Sequence, residues 1–271
     1  MKIRSDSLRD LVPAVRRARG FRLYDARGRR YLDLSLDNGL AVLGHRPLRL
    51  QQEVKAVISK TGFSPLPSAY PLRLARALTR AYPGYGGVRI AAGEAEAVAL
   101  AARYLECGPA EVEIRDPALG ETGRVVRDRP FLPAAQREQA LQGAEVVIPA
   151  IPFRVGGSPC AILFRGQAPE AEQAWIPPMA AAAALRALHD LARHTLPAWY
   201  SDDLLAGCKA WVQRGIYVAP SFDPGRYAGA FARFLEQGVL LPPEYPGPAV
   251  LPGEASEGEL ALLKRLFGED V

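Results

Sequence analysis

Lysine is scarce in this chain. Lys2, Lys55, Lys60, Lys209 and Lys264 are the only five among 271 residues, and arginine supplies the rest of the 34 basic side chains. Arginine cannot give up its proton to act as an amine nucleophile, so amine chemistry has few places to reside. Cysteine is also rare: Cys107, Cys160 and Cys208 are odd in number and show no C-x-x-C spacing. They support neither a disulfide framework nor a zinc ribbon, and are expected to be small, buried or half-buried thiols. No apolar run reaches the roughly 18 residues of a membrane span. The opening MKIRSDSLRD has no secretion-signal core, so a cytoplasmic chain without a membrane partner is expected.

One-sided charge is lacking too, with 34 basic against 29 acidic residues. The densest basic cluster, Arg16, Arg17, Arg19 and Arg22, has no interleaved aromatics on which bases could stack, and no nucleic-acid partner is expected. His189 and His194 are five apart, which misses the spacing of a helical metal pair, and no metal site is expected. What remains is ordinary for a folded chain: 49% hydrophobic and 23% charged residues, enough for one large domain or two modest ones.

Apolar periodicity orders the chain. Leu8, Leu11, Val12 and Val15 fall on one helical face and predict a helix over residues 7–19. The segments at 21–24 and 31–34 flank Asp25-Ala26-Arg27-Gly28, which reads as a hairpin. Helices are expected around 50–58 and 72–81, separated by a Pro/Ser/Gly loop. A short strand at 88–91, the turn Ala92-Gly93 and an alanine-rich helix over 94–105 form the sharpest local pattern. Strands are predicted at 112–115, 145–148 and 161–164, so the middle of the chain reads as α/β. Helices at 179–193, 202–214 and 226–237 and strands at 216–218 and 238–241 follow. A last helix begins at Ser256, where Ser256 and Glu259 have capping-box spacing. Trp175, Trp199 and Trp211 are expected as core or interface plugs, and Lys55, Lys60, Lys209 and Lys264 as solvated edges of amphipathic helices.

Three stretches resemble the class III (fold type I) pyridoxal-phosphate aminotransferases, and among them the glutamate-1-semialdehyde aminomutases. The first holds ARGFRLYDARGRRYLDL, VLGHRP and IAAGEAEAVALAARYL; the second is IPPMAAAAALRALHDL; the third is FARFLEQGVLLPPEYPGPAVLPGEASEGELALL. The resemblance implies an α/β fold of the type I transferase kind. It would have a shortened large domain at 46–184, built on a reduced, mainly parallel sheet with strands near Ile90, Ile114, Val147 and Leu163. A small α+β domain would come from both chain ends, 1–45 and 185–271. It also implies a homodimer.

The same resemblance locates what is missing. The family's cofactor lysine belongs to a strand and glycine loop whose counterpart here is GAEVVIPAIPFRVGGSPCAILF, which contains no lysine. Pro149, Ala150 and Ile151 stand about where it would be, and none can form a Schiff base. Where the family has Ser-Gly-Ser/Thr to hold the cofactor phosphate, this chain has Ala92, Gly93 and Glu94. Asp116 is the candidate for the aspartate that pairs with the pyridine nitrogen, or else a turn residue beside Pro117. These four are therefore vestigial cofactor contacts, with no catalytic residue and no bound cofactor expected. His45, within VLGHRP, either touches substrate or pins a loop. The expected function is an aminotransferase-like binding or structural protein. A working pyridoxal-phosphate enzyme with an unplaced or partner-supplied lysine, and a regulatory subunit of a full-length aminotransferase, are the alternatives.

Overall fold

The computed structural model describes residues 8–61, 66–152, 159–201 and 204–269. The strands are β1 (Val15–Arg19), β2 (Arg22–Asp25), β3 (Arg30–Asp33), β4 (Gly87–Ala91), β5 (Ile114–Arg115), β6 (Val125–Asp128), β7 (Val146–Pro149), β8 (Cys160–Phe164), β9 (Trp211–Arg214), β10 (Tyr217–Pro220), β11 (Val239–Leu240) and β12 (Ala249–Val250). The chain divides into two compact units, one of residues 1–47, 131–133 and 195–271, the other of 48–130 and 134–194. The domain boundary expected at 184/185 falls inside the helix Pro178–Leu191, which lies wholly in the second unit.

In the first unit β1, β2, β3 and β11 form one sheet. The β2–β3 hairpin turns where expected: the Asp25 carboxylate accepts the backbone N–H groups of Arg27 and Arg29, each at 2.9 Å, and Gly28 takes a φ of +83°. That turn chemistry is local, which is why it is readable from four residues. Of residues 7–19, expected as a helix, residue 7 lies outside the described residues, only residues 8 and 9 are helical, and 15–19 instead form strand β1, antiparallel to β2. Pro13 interrupts the helical run, and Leu11 and Val15 are about half exposed, so no continuous apolar face exists to bury. The helix expected over 202–214 is likewise replaced at its end by β9. This strand pairs with β10 around Gly215, whose φ is +61°. A Cβ there would lie 2.1 Å from the Phe131 carbonyl oxygen, so the turn requires glycine. Residues 202 and 203 lie outside the described residues.

Trp211 is buried in this unit, with the rings of Phe222 and Phe267 each 5.1 Å away and Phe234 at 5.9 Å. The last helix, Glu257–Gly268, starts on the expected capping box between Ser256 and Glu259. His45 pins a loop: its Nε2 lies 2.9 Å from Asp33 Oδ2, and its backbone N–H donates to Gly20.

The second unit is built on a five-stranded sheet in the order β4-β8-β7-β6-β5. β5, β6 and β7 pair in parallel, while β8 is antiparallel to both β7 and β4. Four strands therefore run one way and β8 is threaded between them in reverse. β6 and the helix Ala134–Gly143 have no counterpart in the sequence reading. VVRD offers only two adjacent valines before charge begins, too short a signal for periodicity. Ile90, Val126, Val147 and Leu163 meet the helices Leu48–Thr61, Ala69–Ala81 and Pro178–Leu191 on one face. Val125, Val146, Ile148, Ile162 and Phe164 meet the helix Glu94–Leu105 on the other. The alanine run Ala180–Ala184 is buried, because side chains this small let a helix approach the sheet closely. Trp175, expected as a plug, is 54% exposed.

Candidate functional site

Because β4, β5, β6 and β7 point the same way, their carboxyl ends share one edge of the sheet. In open α/β sheets that edge is where ligands bind. The structure brings all four sequence-predicted residues there. Ala92, Gly93 and Glu94 follow β4, and Asp116 follows β5. Asp128 ends β6 and Arg129 follows it, Pro149 ends β7 and Ala150 follows it, and Cys160 opens β8 opposite Ala91.

Three ion pairs occupy this edge. Glu94 pairs with Arg127 of β6. Asp116 accepts the Arg129 Nε at 2.8 Å, and the Arg129 side chain is only 1% exposed. Asp116 also caps the short turn at Pro117 through the Ala118 N–H, as the turn alternative for this residue requires. On the opposite face of β6, Asp128 accepts the Tyr82 hydroxyl at 2.6 Å and the Arg137 Nε at 2.8 Å. Burial first, and then the Asp128 charge, push the Tyr82 hydroxyl well above its ordinary range, so it stays a donor at neutral pH. The hydrogen bond to Asp128 raises the Arg137 guanidinium in the same sense.

The start of the helix Glu94–Leu105 is also occupied by the chain itself. Glu96 accepts the Ala92 N–H at 2.7 Å, so one donor of the turn is taken by a carboxylate. Gly93 has an extended φ of −175° and open space where a Cβ would be, so nothing in the geometry demands glycine there. Two carboxylates at the positive end of a helix satisfy it electrostatically and oppose a second anion. We expect Glu94→Thr with Ala92→Ser to bind inorganic phosphate at least about tenfold more tightly than the natural chain, since Arg127 loses its partner and a hydroxyl is added. Calorimetric titration checks this; equal affinities would contradict it.

No amine stands at the edge among the described residues. Pro149, Ala150 and Ile151 are buried and apolar, while Lys55, Lys60, Lys209 and Lys264 are exposed elsewhere, Lys209 in a loop rather than a helix. Lys2 and the Gly156-Gly157 loop lie outside the described residues. Among those described, no group of three His, Cys, Asp or Glu side chains could hold a metal, and no helix is long and apolar enough to cross a membrane. The carboxylate-binding arginines Arg127, Arg129 and Arg137 were not foreseen. They sit on or near β6, and their only sequence signal was an arginine–aspartate alternation around an unrecognised strand.

Solved structures share this architecture. The chain matches an ornithine aminotransferase from Plasmodium yoelii at 14% identity over 94% of this chain and 92% of that one, with a TM-score of 0.70. An omega-transaminase from Sphaerobacter thermophilus matches at 12% identity, covering 94% and 90%, with a TM-score of 0.63. The fold is that of the type I pyridoxal-phosphate transferases. At such identity the likeness concerns the fold of the transferases, and the chemistry must be argued from residues. In sequence, an uncharacterized protein of Treponema pallidum (strain Nichols) is 28% identical over 289 residues, 88% of each chain. One of Borreliella burgdorferi is 26% identical over 274 residues, covering 95% of this chain and 91% of its own. No family model matches.

Proposed function

We propose that this chain is an aminotransferase-like protein, nearest in kind to the glutamate-1-semialdehyde aminomutases but with a shortened large domain. It carries no pyridoxal phosphate, performs no transamination and serves as a homodimeric binding or structural protein in the cytoplasm. The observation that carries this proposal is the pairing of charges at the carboxyl edge of the sheet: Glu94 with Arg127, Asp116 with Arg129, Asp128 with Arg137.

A cofactor phosphate needs donors there, a pyridine nitrogen needs a carboxylate to spare, and a Schiff base needs a lysine amine of lowered pKa. The edge offers carboxylates that are already engaged and, in GAEVVIPAIPFRVGGSPCAILF, no lysine. The residues do not fit the cofactor. Leu48 and Ile58 on the helix Leu48–Thr61 are exposed apolar side chains that a second copy would cover.

The test adds pyridoxal phosphate to the purified chain, looks for the visible aldimine band and then traps any adduct with borohydride for peptide mapping. No band and no adduct are expected, with a dimer by light scattering. A stable adduct on Lys209 or Lys264 would overturn the loss of cofactor chemistry, and a clean monomer would overturn the dimer.

A further inference from the structure

The densest basic cluster of the sequence becomes the edge strand of the sheet in the first unit. Among the described residues β1 pairs with β2 alone, and the main-chain groups on its other side have no partner. An open edge of this kind accepts a further strand. Arg16, Arg17 and Arg19 are all exposed along it. The register sets Arg17 opposite Tyr24 and Arg19 opposite Arg22, so these two arginines share a face of the sheet. The Arg17 guanidinium lies over the Tyr24 ring, 4.5 Å from its centre, which holds that charge in place.

Two features say what strand fits there. The first is unanswered charge. Arg22 pairs with Glu254 and Glu259, and Arg30 lies 3.7 Å from Glu259, so these arginines and acids answer one another. Among the described residues no carboxylate lies within ion-pair range of Arg16, Arg17 or Arg19. Pairing of this edge with a second copy of itself would set arginine against arginine, whereas an acidic strand complements it. The second is apolar exposure: Val15 in the strand is 49% exposed and Leu11, just before it, 51%. A row of N–H and C=O groups matches a peptide backbone, which a nucleic acid does not have.

We propose that β1 is a docking edge for an extended acidic segment of a partner protein. The segment adds to the sheet as a further strand, with carboxylates against Arg17 and Arg19 and an apolar side chain against Val15. Main-chain hydrogen bonds supply the affinity, while ion pairs this exposed are individually weak and set the choice of partner. This surface is separate from the carboxyl edge of the other sheet, and the proposal stands whether or not a cofactor binds there.

Fluorescence anisotropy of the full chain with labelled peptides tests the proposal. A short peptide alternating glutamate and valine is expected to bind saturably, with a Kd below about 100 μM at low salt. A peptide alternating lysine and valine is expected to bind at least about tenfold more weakly. One alternating glutamate and proline keeps the acidic charge but lacks half the N–H donors and cannot extend a sheet, and the same tenfold loss is expected. Arg17→Glu with Arg19→Glu is expected to reverse the preference, so that the lysine peptide binds better than the glutamate one. Equal binding of the valine and proline forms of the acidic peptide overturns the proposal. So does tighter binding of an oligothymidylate of equal charge, or no saturation up to about 1 mM, and none of these comparisons needs a variant to fold. If a second copy covers the edge instead, the double variant changes the oligomeric state by light scattering while the natural chain binds no peptide, and the proposal is likewise overturned.

Discussion

Replacing Asp116 with alanine is expected to cost about 3–5 kcal/mol of stability, the largest effect of any single substitution considered for this chain. The Arg129 side chain is 1% exposed, and Asp116 faces it with both carboxylate oxygens 2.8 Å from Nε. Truncating Asp116 removes the carboxylate that accepts the buried Nε and also a hydrogen bond from the Ala118 N–H. A buried pair seldom stabilises relative to an apolar pair of similar shape; the damage comes from breaking one half. The double variant Asp116→Ala with Arg129→Met should therefore recover at least half of the loss. Urea unfolding followed together with amide exchange in β5 and β6 measures both quantities, the exchange being needed because two units need not unfold as one. A loss below about 1 kcal/mol, or no recovery in the double variant, would show that the pair is not the support inferred here.

In the other unit, Glu259→Gln is expected to destabilise by about 2 kcal/mol at neutral pH, with the difference from the natural chain closing in acid. Arg22 donates to Glu259 from Nε at 2.9 Å and from Nη2 at 2.6 Å, and the Ser256 N–H donates at 2.8 Å. Burial opposes the charged form and would raise the pKa of Glu259. The hydrogen bonds from Arg22 and Ser256 and the Arg22 charge outweigh it and bring that pKa down to about 2.

A carboxyl group whose pKa is lowered on folding stabilises the fold fully above its unfolded value of about 4.3. That contribution is lost as the pH falls from there through about 2. Thermal melts of the natural chain and the variant at steps from pH 7 to pH 2 should therefore converge in acid, and a gap that stays constant over that range would rule out the ionised pair as its source. The same pair ties the first strand of the β2–β3 hairpin to the start of the last helix, 237 residues apart in sequence.

Local chemistry made some elements legible from sequence alone. The Asp25–Gly28 turn, the strand–glycine–helix pattern ending in Glu94–Leu105, and the Ser256–Glu259 capping box each depend on residues within a few positions of one another. The α/β class of the middle segment and the absence of lysine from residues 143–164 were equally plain. Tertiary structure decided the rest. Residues 7–19 read as one helical run, but hydrogen bonding to β2 makes residues 15–19 a strand. The two valines of β6 become a core strand only once it pairs with β5 and β7 and helices cover both faces of the sheet. Glu94 and Arg127 are 33 residues apart, and Asp116 and Arg129 are 13 apart. Which carboxylate meets which arginine depends on strand order, and a one-dimensional pattern does not carry strand order. The exposure of Trp175, which the sequence marks as a plug, is a property of packing in the same way, since it depends on what the fold leaves beside the side chain.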